Sequence, residues 1–320
     1  MDRSKVDAPI SPEMQIWIEE RFRWLGEQFG WYRLRNQQTL LLTTEFFPAT
    51  IKTLDEIHPI FKKLCVELEV PEQDIELRIY PIDEIPTHLT HLGFSGLYRI
   101  EDARTVIDLI VYPDDTPSNI IATLAHELGH VRLLGENRIS KDETDHEPLT
   151  DLCTVFFGTG VINGNSTIHE AHMSNGQLIW WRAGKRGYLE MPDFAYALAL
   201  YAAERGEDRP SWVPYLRGDL RQFYRQSRKA LQLLGLGKIS ERTGPVGPFN
   251  YPEKPSVEVP AGEIDEVEGE DNTNIGKESA VDANQIVYSR DKKAGLILKI
   301  GIIICVILFL ITLLQRNFPI

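Results

Sequence analysis

The chain changes character at Gly244, and that break decides how much of it can build a core. Residues 12 to about 243 mix aromatic, aliphatic and charged residues in periodic segments, as a folded domain does. From Gly244 to Lys293 the sequence turns to Pro, Gly, Glu, Asp and Asn, with few large apolar residues. Such a stretch cannot bury enough surface to offset the entropy of ordering it, so 244–293 is expected to be a disordered acidic linker. Ala294 to Leu314 is then an almost unbroken apolar run. A helix needs about 20 mostly apolar residues to cross the hydrocarbon core, and this run supplies them. The expected organisation is a folded domain over 1–243, the linker over 244–293 and a transmembrane helix over 294–314.

Charge orients that helix. Arg290, Lys292 and Lys293 precede the run and only Arg316 follows it. The positive-inside bias then places linker and domain on the cytoplasmic side, as in a single-pass C-terminal anchor seated in a lipid bilayer. Lys299 lies near the start of the span, where its long side chain can snorkel to the interface. A flexible linker of ~50 residues spans roughly 40 Å, enough to hold a domain clear of the membrane yet near it.

Composition excludes other classes. A net charge of -13 with no basic stripe argues against nucleic-acid partners, whose phosphates need clustered Lys and Arg. The N-terminus has no apolar run behind its charges, so no secretory signal is expected. Cys65, Cys153 and Cys305 are far apart, which is no disulfide framework and fits a reducing compartment. Gly158-Thr-Gly160 lacks the strand and helix context of a phosphate-binding loop, so no nucleotide is expected.

Periodicity predicts helices over 13–29, 53–69, 117–134, 148–157, 192–205 and 216–234. In the first, Ile16, Ile18, Phe22, Leu25 and Phe29 make the apolar face; Gly235 is a natural stop for the last. Ile75–Tyr80 and Thr105–Tyr112 read as strands. Strands accompanied by several helices make an α+β domain. Tyr196, Leu198, Leu200 and Tyr201 read as core.

The helix at 117 carries the chemistry. It opens with Thr116 as a cap and Pro117 in its first turn, and it ends in His126-Glu-Leu-Gly-His130. Residues four apart share a helix face, so both imidazoles can reach one metal ion. Glu127, about 100° round the helix, lies beside the metal without having to bind it and can take a proton from water. A catalytic metal site uses three protein ligands and keeps a fourth position open. Downstream, Glu147 and Asp151 are again four apart, at the start of a helix with Pro148 in its first turn. Glu147 can be the third ligand while Asp151 accepts a hydrogen bond from the far nitrogen of a ligand His. Asp145 or His146 can replace Glu147 as a ligand, though neither has a partner at the Asp151 position. A two-His, one-carboxylate iron site has the same donors, but it leaves Glu127 idle.

His126-Glu127-x-x-His130 followed by Glu147-x-x-x-Asp151 resembles the gluzincin zinc metallopeptidases, which include thermolysin-like and integral-membrane peptidases. The resemblance covers about fifty residues, and the anchored layout resembles an uncharacterised bacterial membrane-anchored group of that type. It implies a zincin-like domain and Zn2+ held by His126, His130 and Glu147. It further implies Glu127 as general base, Asp151 as the residue orienting a ligand ring, and a protein or peptide as substrate.

Other residues are weaker candidates. His88 and His91 form a pair that closes no site alone. His169 and His172, and Arg182, Arg186 and Tyr188, can contact substrate or stabilise a transition state, or can simply face solvent beside Trp180 and Trp181. The strand at 105–112 is expected to offer its edge to an extended substrate. Two rival readings remain: a non-catalytic zinc-stabilised adaptor at the membrane, and a zinc hydrolase acting on a non-peptide amide.

Overall fold

The computed structural model describes residues 3, 6–87, 89, 95–174, 179–185, 188–247 and 249–252, with the backbone alone for 168–174 and 179–185. Five helices build the body around the site: α1 (Pro12–Phe29), α2 (Trp31–Asn36), α3 (Ile57–Glu67), α4 (Pro117–His130) and α5 (His146–Phe156). Three more follow: α6 (Gly160–Asn165), α7 (Met191–Glu204) and α8 (Gly218–Leu233). A three-stranded sheet is ordered β1 (Ile75–Pro81), β3 (Arg104–Val111), β2 (Gly96–Glu101), with β1 parallel and β2 antiparallel to the central β3. Helix and sheet are thus mixed, as an α+β chain requires. β4 (Ile168–Ser174) pairs with β5 (Ile179–Lys185) in a second, two-stranded sheet, most of which belongs to a separate small unit.

The central strand explains the layering. Val106 to Ile110 are all buried, and Ile107 and Leu109 join Ile75, Leu77 and Ile79 on the face that packs into the helical core. On the opposite face Asp108 is fully buried and holds Arg99 Nε at 2.6 Å from its Oδ2. β2 and β3 are joined by the two-residue turn Asp102-Ala103, both with positive φ (48° and 62°). That is the turn whose twist matches a hairpin, and it is built here without glycine.

α4 packs against β2, α3, α5 and α6, so it lies at the centre of the domain. Its N-cap Thr116 accepts from the Asn119 amide at 3.3 Å, and past His130 the chain continues in a π-helical turn over Val131–Gly135. α1 and α7 brace α5 from the far side. Met14, Trp17, Ile18, Phe22 and Leu25 are the buried face of α1, whereas Ile16 is 48% exposed and belongs to the solvent side. Tyr196, Leu198, Leu200 and Tyr201 are core, as their pattern suggests. Gly235 stops α8 with a φ of 64°.

The domain extends past the compositional break. Arg23 donates to the Gly244 carbonyl, Arg21 lies 3.7 Å from the Phe249 ring centroid, and Tyr251 packs edge-on against Trp17 at 4.9 Å. The first residues expected to be linker therefore belong to the folded body, because Phe249 and Tyr251 supply apolar surface that the composition around them hides. Residues 253–293 of that linker and the apolar run at 294–314 lie outside the described residues. Among the described residues no helix is long and apolar enough to cross a membrane.

Candidate metal centre

Two consecutive turns of α4 and the first turn of α5 converge on one point. His126 Nε2 and His130 Nε2 each lie 3.2 Å from Glu147 Oε2, and the two rings stand nearly perpendicular, 88° apart, with centroids separated by 4.8 Å. The three ligand atoms all lie within 4.8 Å of one another, a group that can hold a metal ion. Bonds of about 2.0–2.1 Å in a tetrahedron set neighbouring ligands about 3.3 Å apart, so the 3.2 Å separations fit such an ion.

The far sides of the rings are held as well. His126 Nδ1 lies 2.8 Å from Asp151 Oδ1, and the other oxygen of Asp151 accepts from the Tyr188 and Leu189 amides at 2.6 and 2.9 Å. His130 Nδ1 lies 3.2 Å from the Thr150 hydroxyl. Tyr188 stacks against His126 and Tyr98 against His130, each with ring centroids 6.0 Å apart. The cradle thus has an aromatic wall on either side. Burial, together with the charges of Glu147, Asp151 and Glu127, pushes the Tyr188 phenol up to about 12, so it keeps its proton at neutral pH.

Charge within the cradle is strongly coupled. Burial opposes the imidazolium of His126, but its bond to Asp151, that residue's charge and Glu147 outweigh burial and raise its pKa well above the ordinary value. Burial also disfavours the Glu147 carboxylate, yet hydrogen bonds from both imidazoles hold its pKa below the usual range. Glu127 goes the other way. Burial raises its pKa, assisted by the charge of Glu147 and opposed by the two imidazoles and one backbone amide.

That amide belongs to Tyr98, which donates to Glu127 Oε2 at 2.7 Å from the outer edge of β2. The approach is close because residue 96 is glycine: a Cβ there would fall 2.6 Å from both Glu127 Oε1 and Thr123 Cγ2. The strand edge beside Glu127 is therefore that of β2. β3, whose edge was expected to serve a substrate, is paired on both sides and has none to offer.

Neither alternative third ligand joins the group that can hold a metal ion. Asp145 is buried and accepts from Trp17 Nε1 at 2.8 Å and from Arg21 Nε and Nη2 at 2.7 and 2.6 Å, which commits it to anchoring the loop before α5. His146 turns Nδ1 to the Glu143 carbonyl at 2.8 Å, with Nε2 3.3 Å from Glu147 Oε1. It flanks the cradle and is outside the ligand triad. Cys65 and Cys153 are buried free thiols that burial raises to about 12, and neither belongs to the group that can hold a metal ion. His169 and His172 lie on β4 and Arg182 on β5, while His88, His91 and Arg186 lie outside the described residues.

Tyr98 and Thr150 escaped the sequence reading. Tyr98 acts through its backbone, which no side-chain pattern reports. Thr150, sitting between Glu147 and Asp151 in the same helix, had a positional signal in its spacing of three from Glu147. Comparison with protein-family models, curated proteins and solved structures finds no match to this chain.

Proposed function

We propose that this chain is a zinc-dependent endopeptidase with a zincin-like domain, tethered to a membrane by residues 294–314 with the domain on the cytoplasmic side. The observation that carries the reading is the placing of Glu127. It is a buried carboxylate with a raised pKa, adjacent to the His126–His130–Glu147 cradle and held by the amide of a strand edge. A site that only had to hold a metal would have no use for a further, disfavoured carboxylate at that point. Two imidazoles and one carboxylate suit zinc, with room for a fourth, exchangeable ligand. When bound, zinc supplies Lewis-acid polarisation of a carbonyl and lowers the pKa of water to about 7.

The chain's own residues do the rest. Glu127 takes the proton of the attacking water, keeps it in a carboxyl group that burial favours, and passes it to the departing amine. Tyr98 holds Glu127 at one oxygen, which leaves Glu127 Oε1 for the proton. Asp151 fixes His126 and thereby aligns the cradle. Tyr188, a phenol still protonated at neutral pH, is the hydrogen-bond donor assigned to the developing oxyanion. The outer edge of β2, which no other strand pairs among the described residues and whose Tyr98 amide already holds Glu127, accepts an extended peptide by strand addition, which brings a backbone carbonyl beside Glu127.

The test is zinc content together with cleavage of a peptide library by the wild type and by Glu127→Gln. The expected result is one zinc per chain in both, with cleavage confined to the wild type. Cleavage retained by Glu127→Gln would remove the base. Zinc binding with no cleavage of any peptide by the wild type would leave the adaptor or a non-peptide amidase.

A further inference from the structure

Thr150 is fully buried in the middle of α5, three residues after the ligand Glu147 and one before Asp151. Its hydroxyl has one proton and two lone pairs. The carbonyl of His146, 2.7 Å away, can only accept, so the proton points there in the back-bond common for threonine inside a helix. Towards His130 Nδ1, 3.2 Å away, the hydroxyl then presents a lone pair, and that nitrogen has to carry the hydrogen. A neutral imidazole protonated at Nδ1 keeps its lone pair on Nε2. For His130 that is the atom 3.2 Å from Glu147 Oε2, facing the cradle.

The two ligand rings are thus oriented by different chemistry. His126 donates to a carboxylate and His130 to a neutral hydroxyl. The second contact needs α4 and α5 to approach closely, and Gly129 allows it. A Cβ at 129 would lie 2.9 Å from Thr150 Cγ2 and 3.4 Å from the Thr150 carbonyl oxygen. A β-branched side chain has no flexible end to swing aside, so the helices themselves would have to part.

We propose that Thr150 is the positioning residue that selects the metal-binding tautomer of His130, and that Gly129 is the gap that admits it. The proposal rests on the reading of His126, His130 and Glu147 as metal ligands. The experiment is zinc affinity of the full chain, measured by competition with a chromophoric chelator, for wild type, Thr150→Val, Thr150→Ser and Gly129→Ala. Melting of each metal-free protein reports folding separately.

Thr150→Val, which keeps the volume and removes the acceptor, is expected to bind zinc about 10- to 100-fold more weakly, the usual loss for such a partner. Thr150→Ser, which keeps the hydroxyl, is expected to stay within about threefold of wild type. Gly129→Ala is expected to lose about tenfold or more, although alanine is the better helix former. In the zinc-loaded wild type, a 1H–15N correlation should show His130 Nδ1–H protected from exchange, and that protection should be lost in Thr150→Val. Valine binding as tightly as threonine would overturn the proposal, and so would serine binding as weakly as valine. If Thr150→Val does not fold, Gly129→Ala decides, and wild-type affinity there refutes it. A wild type that binds no zinc would bring down the metal centre and this assignment together; a wild type that binds while Thr150→Val is unchanged brings down this assignment alone.

Discussion

Replacing Asp151 by Asn tests the cradle at the point where its geometry is most constrained. The carboxylate accepts three hydrogen bonds: His126 Nδ1 at 2.8 Å on one oxygen, and the Tyr188 and Leu189 amides at 2.6 and 2.9 Å on the other. Asparagine has the same shape but a single acceptor oxygen. If that oxygen serves the two amides, its NH2 faces His126 Nδ1, which must then become an acceptor. The ring proton moves to Nε2, the atom that should bind the metal. If the side chain is turned the other way, two buried amides confront a donor. Either arrangement forfeits a charge-assisted hydrogen bond, worth about 1.5–3 kcal/mol. At about 1.4 kcal/mol per decade, the zinc dissociation constant should rise roughly 10- to 150-fold. Competition titration with a chelator near neutral pH measures this, and circular dichroism of the metal-free variant confirms the fold. An Asp151→Asn protein binding zinc within twofold of the wild type would refute the claim that this carboxylate sets the tautomer of His126.

Further outcomes follow from neighbouring contacts. Gly96→Ala places a Cβ 2.6 Å from Glu127 Oε1 and should part β2 from α4, lowering peptide hydrolysis on the order of 100-fold while zinc content stays at wild-type level. His126 has a pKa raised above its ordinary 6.5, so in the metal-free protein its stabilising contribution is complete below pH 6.5 and is lost as pH climbs through the raised value. The same proton competes with metal, so zinc affinity should keep rising with pH above 6.5, and a flat profile there would contradict the assignment. Ala103→Gly relieves a left-handed alanine at a φ of 62°, and thermal melting should show a gain of about 0.5–1 kcal/mol.

Much of the site was legible because its chemistry is written in spacings of four. His126 and His130, and then Glu147 and Asp151, each share one helix face, and the two faces meet as that spacing implies. The position of α4 after a strand was legible from the cap at Thr116 and the β-like run Thr105–Tyr112 that precedes it. β2 was not, because Gly96-Leu-Tyr-Arg-Ile-Glu is short and acquires its strand character from pairing with β3. Without β2 in view, β3 looked like an edge. The short helices α2 and α6 were missed for a similar reason: six residues carry too little periodicity to declare a helix. The extension of the domain to Tyr251 depends on two aromatic rings meeting Arg21 and Trp17, partners more than 220 residues away in sequence, which local composition does not record.

The metal cradle itself is tested most directly by X-ray absorption at the zinc edge of the metal-loaded protein, compared with Glu147→Ala. Two imidazole nitrogens and oxygen at about 2.0–2.2 Å, with one oxygen contribution lost in the variant, is the expected first coordination shell. Sulfur at about 2.3 Å, or a shell indifferent to Glu147, would contradict it.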